Sequence, residues 1–517
     1  MAKIALSLSG GGYRAATFHL GTLSYLNHLT AADGTPLLDH VMAVSTISGG
    51  SLTGLWFILG KCRGWSNEKI ISSLYEKLLT GRIIDRASLE FFNSKNNNHS
   101  LIREMVRIYD EEIFEGATLG DLMEAIDNIS IDHFSANATE FNNATEFRFQ
   151  VGKRLITEKG GTSQGVIGNV FYKIPQAIAA QIHLSEVFAA SSCFPGGFEP
   201  LFFPRDFKLS NNADNRQYVE SVAPLALMDG GVVDNQGIEP ICLLRKRTDI
   251  DLFIISDAGC GQEKPFTFEE NHSTSFLTMH HVNMGLNLAI IAMAQFLAWV
   301  PRGFWFGLCL GVTLVFLALR ITTAVASRLL LKSYSKKIPF SFNWKQLLHI
   351  PLSKYADMIL SRAKSMLTLT NKVFMRHIRS LNYVTVYEDE QWQNRRIMNA
   401  LYELCTDKDW DNHLTADEKQ IMSPGSAVNQ CSDVAASMGT TLWWSEDDRK
   451  AGKPEALFAA GQYNICWNLL EFIYRLRRNS DNVGDGITDI TSLQSKLEAD
   501  WQRFKENPKW MIPENNK

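Results

Sequence analysis

The 517-residue sequence predicts a three-layer α/β fold with a mainly parallel central sheet, extended by an apolar helical hairpin and a helical C-terminal region. Three observations predict it. Short apolar runs end in glycine-rich turns and lead into helical patterns, and this happens twice before Leu59. Two long uncharged stretches, 282–301 and 303–319, then follow with only Arg302 between them. Beyond Ser341 the chain is rich in Trp and charged residues and shows no new strand–turn–helix signal. The division that follows is 1–265 for the α/β core, 266–340 for the hairpin, and 341–517 for a helical region packing on the core.

Each element has its own signal. Residues 3–8 read as a buried strand running into Gly10-Gly11-Gly12, after which Ala16, Leu20, Leu23, Leu26 and Leu29 mark the apolar face of a helix. A second strand, 41–47, ends at Ser48-Gly49-Gly50 and gives way to helical residues 51–59. Residues 60–150 read as mostly helical and polar, with an exposed Asn-rich loop at 93–98. One helix is expected over 174–190, then a turn at 191–197, then strands at 225–228 and 252–256. Residues 465–474, with Trp467, Leu470 and Phe472, form an amphipathic stripe assigned to core packing.

Composition narrows the function. Hydrophobic residues make up 45% and charged residues 21%, which is globular, and a net charge of -4 gives no reason to expect a nucleic-acid partner. The eight cysteines include no CxxC pair, so neither a zinc site nor a disulfide framework is indicated and reduced thiols in a cytosol are expected. No His, Asp and Glu cluster has metal-ligand spacing, so no metal and no cofactor are expected. The first apolar run, from Ile4 to Leu8, is too short for a signal peptide.

The turns carry the chemistry. A nucleophilic serine needs a sharp strand-to-helix turn with small neighbours two residues to each side. Thr46-Ile47-Ser48-Gly49-Gly50 matches in every position but Thr46. By itself such a turn fits a structural role equally well. Gly10-Gly11-Gly12 follows a strand and opens a helix, so its free amides sit at the positive end of a helix dipole, where an oxyanion can be held. Neither GxGxxG nor the P-loop pattern is matched there, which disfavours a nucleotide. Asp229, at the end of a strand and before Gly230-Gly231, is placed to take a proton from a hydroxyl on a neighbouring strand. A Ser-His-Asp triad fits less well, because His183, His280 and His281 occupy no recognisable turn.

The order of these motifs resembles the patatin-like phospholipases and their relatives, the group IV cytosolic phospholipases: Ser9-Gly10-Gly11-Gly12-Tyr13-Arg14, then Ser48-Gly49-Gly50-Ser51, then Asp229-Gly230-Gly231. The turn Ser191-Ser192-Cys193-Phe194-Pro195 and the stretch Val233-Asp234-Asn235-Gln236-Gly237 add to the likeness, which covers about residues 3–260. The resemblance implies a patatin-like fold and a lipid acyl hydrolase with Ser48 as nucleophile and Asp229 as base. It implies an oxyanion hole in the Gly10, Gly11 and Gly12 loop, with Arg14 steadying that loop or meeting a lipid phosphate. Phospholipids or lysophospholipids in a membrane are the implied substrates. A neutral-lipid lipase or transacylase is the alternative within the class. A silent scaffold, or a regulated effector that damages its host's membrane, is the alternative outside it, with the C-terminal region as the place for a sensor or a homo-oligomer surface.

At about 1.5 Å per residue, each uncharged stretch approaches the roughly 30 Å of a bilayer core. Arg320, Arg328, Lys332, Lys336 and Lys337 follow, and Trp299 and Trp305 bracket the join, as in a hairpin anchored from the cytoplasmic side. A buried helix pair or an apolar self-association face is the alternative, and Asn283, Asn287 and Gln295 fit it. The expected location is cytoplasmic and membrane-associated, with anchoring by 282–319.

Overall fold

A computed structural model describes residues 2–81, 86, 100–153, 155–156, 162–163, 165–259, 267, 276–335, 349–410, 414–478 and 491–512. The expected loop at 93–98, Cys260, and the basic residues Lys336 and Lys337 lie outside them. The chain forms two compact units, one of Met1–Glu263 with Asn371–Lys517, the other of Lys264–Thr370.

The first unit is built on a ten-stranded sheet. In chain order its strands are β1 (Ile4–Leu8), β2 (Val41–Ile47), β3 (His133–Glu140), β4 (Thr145–Gly152), β5 (Ile167–Gly168), β6 (Lys173–Ile174), β7 (Leu201–Phe203), β8 (Leu225–Asp229), β9 (Leu252–Asp257) and β10 (Arg396–Ala400). Across the sheet the order is β10-β9-β1-β2-β3-β4-β5-β6, with β8 joining β3 to β7. From β10 to β3 every pair is parallel, and beyond β3 the pairs are antiparallel.

Alternation along the strands builds the three layers. Ile4, Leu6 and Leu8 enter one core, while Ala5 faces the other; on β9, Leu252 and Ile254 enter the first and Phe253 and Ile255 the second. The first core is covered by α1 (Gly12–His28), α2 (Gly49–Cys62), α3 (Asn67–Thr80) and α4 (Leu184–Ser192). The second is covered by α5 (Ile238–Arg245), through Ile238 and Ile241, and by the later segment that carries Val386 and Trp392.

Three local readings differ from the sequence analysis. Residues 133–152 form β3 and β4, not helix. β3 alternates small polar and apolar residues, Ser135, Asn137 and Thr139 against Phe134, Ala136 and Ala138, so its buried polar face carries no hydrophobic signal. The helix expected over 174–190 is broken, because His183 is the N-cap of α4, in a capping box with Glu186. The C-terminal region also contributes a strand: β10 pairs with β9, Ile254 opposite Ile397.

The second unit contains α6 (Met279–Trp299), α7 (Phe304–Ser335) and α8 (Leu352–Thr368). α6 and α7 pack against each other. Two helical spans here, Met279–Trp299 and Phe304–Leu329, have mean hydropathies of 1.5 and 2.1 and are long and apolar enough to cross a membrane. They expose their apolar side chains, with Trp299 at 89% and Phe304 at 78%. Arg320 donates from Nε to Asn287 Oδ1 at 2.8 Å, tying the two helices together.

The C-terminal part of the first unit includes the longer helices α9 (Met375–Glu388), α10 (Gly425–Ala436), α11 (Lys453–Arg478) and α12 (Gln494–Glu506). α11 is buried almost all round, and the stripe at 465–474 lies within it as core. It crosses α1 closely enough that a Cβ on Gly21 would lie 2.0 Å from the Phe458 carbonyl oxygen, and one on Gly461 2.0 Å from that of Phe18. Only glycine at both positions permits that approach.

Candidate active site

Strand register alone brings the two motif residues together. On one side of β3, β2 runs parallel to it and ends with Ile47 opposite Asn137. On the same side β8 runs antiparallel, ending with Asp229 opposite Ala138. The two strands therefore meet end to end, and the residues at their tips, Ser48 and Asp229, face each other.

Ser48 is held in a sharp elbow. Its φ of 49° and ψ of -120° lie outside the regions that non-glycine residues favour, a strain of about 1–3 kcal/mol that is common at functional turns. The surroundings hold it there. The Ser48 N–H donates to Ser191 Oγ at 2.9 Å, and Ser191 donates in turn to the Asn137 carbonyl at 2.6 Å. Two residues on from Ser191, the Cys193 carbonyl accepts the Asp229 N–H at 3.2 Å. The end of α4 thus grips both tips, which gives the Ser191-Ser192-Cys193 turn a structural reason.

Thr46, the departure from the elbow pattern, is accommodated by its partner helix. A Cβ on Gly54 of α2 would stand 2.3 Å from Thr46 Cγ2, so Gly54 leaves the room that a glycine at 46 would otherwise provide. The Thr46 hydroxyl lies 3.0 Å from Ser51 Oγ, which lies 2.8 Å from Ser191 Oγ, so the extra side chain joins the network beneath the elbow.

Asp229 is 3% exposed, and burial pushes its carboxyl up to about 6. The Gly231 N–H, which donates to Asp229 Oδ1 at 2.8 Å, and the side-chain hydrogen bond with Ser48 oppose that rise. A carboxyl that titrates near neutrality beside a strained serine can chemically take up a hydroxyl proton. His183 and His19 have partners away from the Ser48–Asp229 pair. His183 Nδ1 lies 3.0 Å from Asp110 Oδ1, and His280 and His281 belong to the second unit. His19 is fully buried, with Nε2 2.9 Å from the Ser9 carbonyl and Nδ1 2.8 Å from Ser256 Oγ, and burial pulls it down to about 4.

The glycine loop lies against the elbow. A Cβ on Gly10 would be 3.3 Å from Ser48 Cβ, and one on Gly49 would be 2.0 Å from the Gly12 carbonyl oxygen. Gly11 and Gly12 have φ of 145° and 62°. The Gly10 N–H donates to the Asn235 carbonyl at 2.9 Å. Among the described residues no backbone carbonyl accepts from Gly11, Gly12 or Gly49. Gly49 is the first residue of α2 and was not singled out in the sequence. Arg14 is 4% exposed and donates from Nη1 to the Met438 carbonyl at 3.0 Å. That matches steadying the loop.

Fold and site together define an α/β protein in which a serine elbow faces a buried carboxylate and a glycine-rich loop. Residues 6–241 match the model of the patatin-like phospholipases. Among solved structures, the human GIVD cytosolic phospholipase A2 is similar at 13% identity and a TM-score of 0.29, covering 50% of this chain and 46% of that one. The same human enzyme in complex with methyl gamma-linolenyl fluorophosphonate and terbium chloride is similar at 18% identity and a TM-score of 0.27, covering 50% and 40%. The chain thus spans less than half the length of these structures. No curated protein matches it.

The Asp229 pKa has a consequence for stability. A carboxyl raised to about 6 makes folding less favourable once ionised. That cost is absent below the unfolded value, about 4, and is fully present above about 6. Asp229→Asn removes it, so the variant is expected to unfold at a higher temperature than wild type at pH 7.5, by roughly 1–3 kcal/mol of stability. The difference should shrink as pH falls toward about 4. Thermal unfolding at both pH values measures this, and a variant less stable at pH 7.5 would contradict the assignment of the shift to burial.

Proposed function

We propose that the chain is a serine acyl hydrolase of membrane lipids, a phospholipase or lysophospholipase working through Ser48 and Asp229. The observation that carries the reading is the pairing of a strained, buried serine with a carboxyl poised near neutrality at the meeting of two strand ends. In the first half-reaction Ser48 Oγ attacks the acyl carbonyl carbon while its proton passes to the Asp229 carboxylate. The tetrahedral oxyanion accepts from the Gly11, Gly12 and Gly49 amides, each such donor being worth roughly 3–4 kcal/mol. Collapse expels the alcohol, which takes the proton from Asp229, and leaves an acyl-Ser48. In the second half Asp229 takes a proton from water, the hydroxide adds to the same carbonyl, and the fatty acid departs as Ser48 recovers its proton.

Purified protein is expected to release fatty acid from mixed phospholipid vesicles, and Ser48→Ala and Asp229→Asn to abolish the release. Because Asp229 acts ionised, kcat/KM should fall below about pH 6, approaching tenfold per unit. Activity that survives Ser48→Ala would defeat the mechanism, and release from triacylglycerol emulsions alone would reassign the substrate to neutral lipid.

The second unit supports a membrane location. α6 and α7 expose apolar side chains along spans of bilayer length. Arg320 and Asn287 satisfy each other within the hairpin, so neither polar group is left unpaired by that contact. We expect the full chain to stay with membranes through alkaline carbonate extraction and a chain lacking 279–335 to be released. Release of the full chain would indicate that another surface, such as a second copy, covers the hairpin.

A further inference from the structure

Residues far outside the family match take hold of the glycine loop. The segment between α10 and the short helix Glu446–Lys450 crosses the start of α1. There the Thr441 carbonyl accepts the Tyr13 N–H at 2.8 Å, and the Met438 carbonyl accepts from Arg14 at 3.0 Å. The contact is close enough that a Cβ on Gly12 would lie 2.3 Å from the Thr441 oxygen and 3.2 Å from the Thr440 carbonyl carbon. The Trp444 ring lies 5.8 Å from that of Tyr13, and its Nε1 donates to the Leu78 carbonyl of α3 at 2.9 Å. Gly439 and Thr440 are exposed, whereas Met438, Leu442 and Trp444 are buried.

The chemistry of a helix start explains what this contact does. The first N–H groups of a helix have no partner within it, and α1 has no side-chain cap. The Thr441 carbonyl takes the amide of Tyr13 and packs on Gly12, while no backbone carbonyl takes the amides of Gly11 or Gly12 among the described residues. Gly11 and Gly12 are in conformations that only glycine adopts freely, so the loop has alternatives to relax into. Covered on this side, it has fewer.

We propose that residues 438–444 are a positioning strap, which holds Gly11 and Gly12 at the oxyanion site and so makes turnover depend on the C-terminal region. Trp444 is its anchor and the Thr441 carbonyl its point of contact. The proposal rests on the hydrolase reading above. The strap touches neither substrate nor the dyad; it acts through the loop, where a displacement of about 1 Å can cost on the order of a hundredfold in rate.

Full-length Trp444→Ala, and a second variant with two glycines inserted after Gly439, test it with a short-chain p-nitrophenyl ester. The insertion leaves Trp444 in place and carries the test if Trp444→Ala does not fold. The strap account predicts kcat lower by about tenfold or more, with KM within about twofold. Phosphonylation of Ser48 by a fluorophosphonate should slow in parallel, since its P=O oxygen uses the same donors. The acid limb near pH 6 should stay where it is, because Asp229 is untouched. Unchanged kcat in folded variants, even with a lowered Tm, would overturn the strap and leave the hydrolase standing. Wild type that neither turns over the ester nor reacts with the fluorophosphonate would remove the hydrolase reading, and the strap with it.

Discussion

Two strand ends meeting against β3 are the constraint on which the rest of this structure depends. β2 occupies one side of β3 as far as Asn137, and β8 takes over that side from Ala138 in the opposite direction. A shift of one residue in either register would turn its side chains to the other face of the sheet and separate Ser48 from Asp229. The buried polar groups fix that register. Asn137 donates from Nδ2 to Ser45 Oγ at 3.0 Å and to the Thr46 carbonyl at 3.2 Å, and Thr139 donates to the Asp229 carbonyl at 2.9 Å. With their partners removed, these groups would remain buried and unsatisfied, at about 1–3 kcal/mol each.

The same network makes the strain at Ser48 tolerable. An elbow of this kind persists only where its surroundings over-determine it. Here the Ser48 N–H is bound by Ser191, the Ser51 N–H donates to the Ser48 carbonyl at 2.8 Å, and Gly12 closes over Gly49. Positions 46 and 54 are matched in size, since a side chain on Gly54 would collide with Thr46. Thr46 takes the volume and Gly54 gives it up. At the carboxylate the balance runs the other way, because burial that destabilises an ionised Asp229 also raises its basicity.

Much of this was legible in the sequence where hydrophobic runs end in glycine. β1, β2, β8 and β9, the helices after the first two, and the Ser48 and Asp229 turns all carry that signature. β3 was not legible. It is the strand on which the site is assembled, yet Ser135, Asn137, Thr139 and Glu140 make it look soluble, and only its hydrogen bonds explain their burial. β10 was hidden for a similar reason, with Arg396 and Asn399 interrupting a five-residue run. The bond of the Gly10 amide to Asn235, the inward turn of Arg14 and the contact of Thr441 with Gly12 are long-range facts that no local pattern encodes.

The central claim is that Ser48 is a nucleophile activated by Asp229. The most direct measurement is the intact mass of the full-length protein after brief exposure to a fluorophosphonate, with peptide mapping, at pH 5 and pH 7.5. The account predicts a single adduct on Ser48, formed about tenfold faster at the higher pH and hardly at all in Asp229→Asn. An adduct on another residue, or one that forms on Ser48 at the same rate without the Asp229 carboxylate, would contradict it.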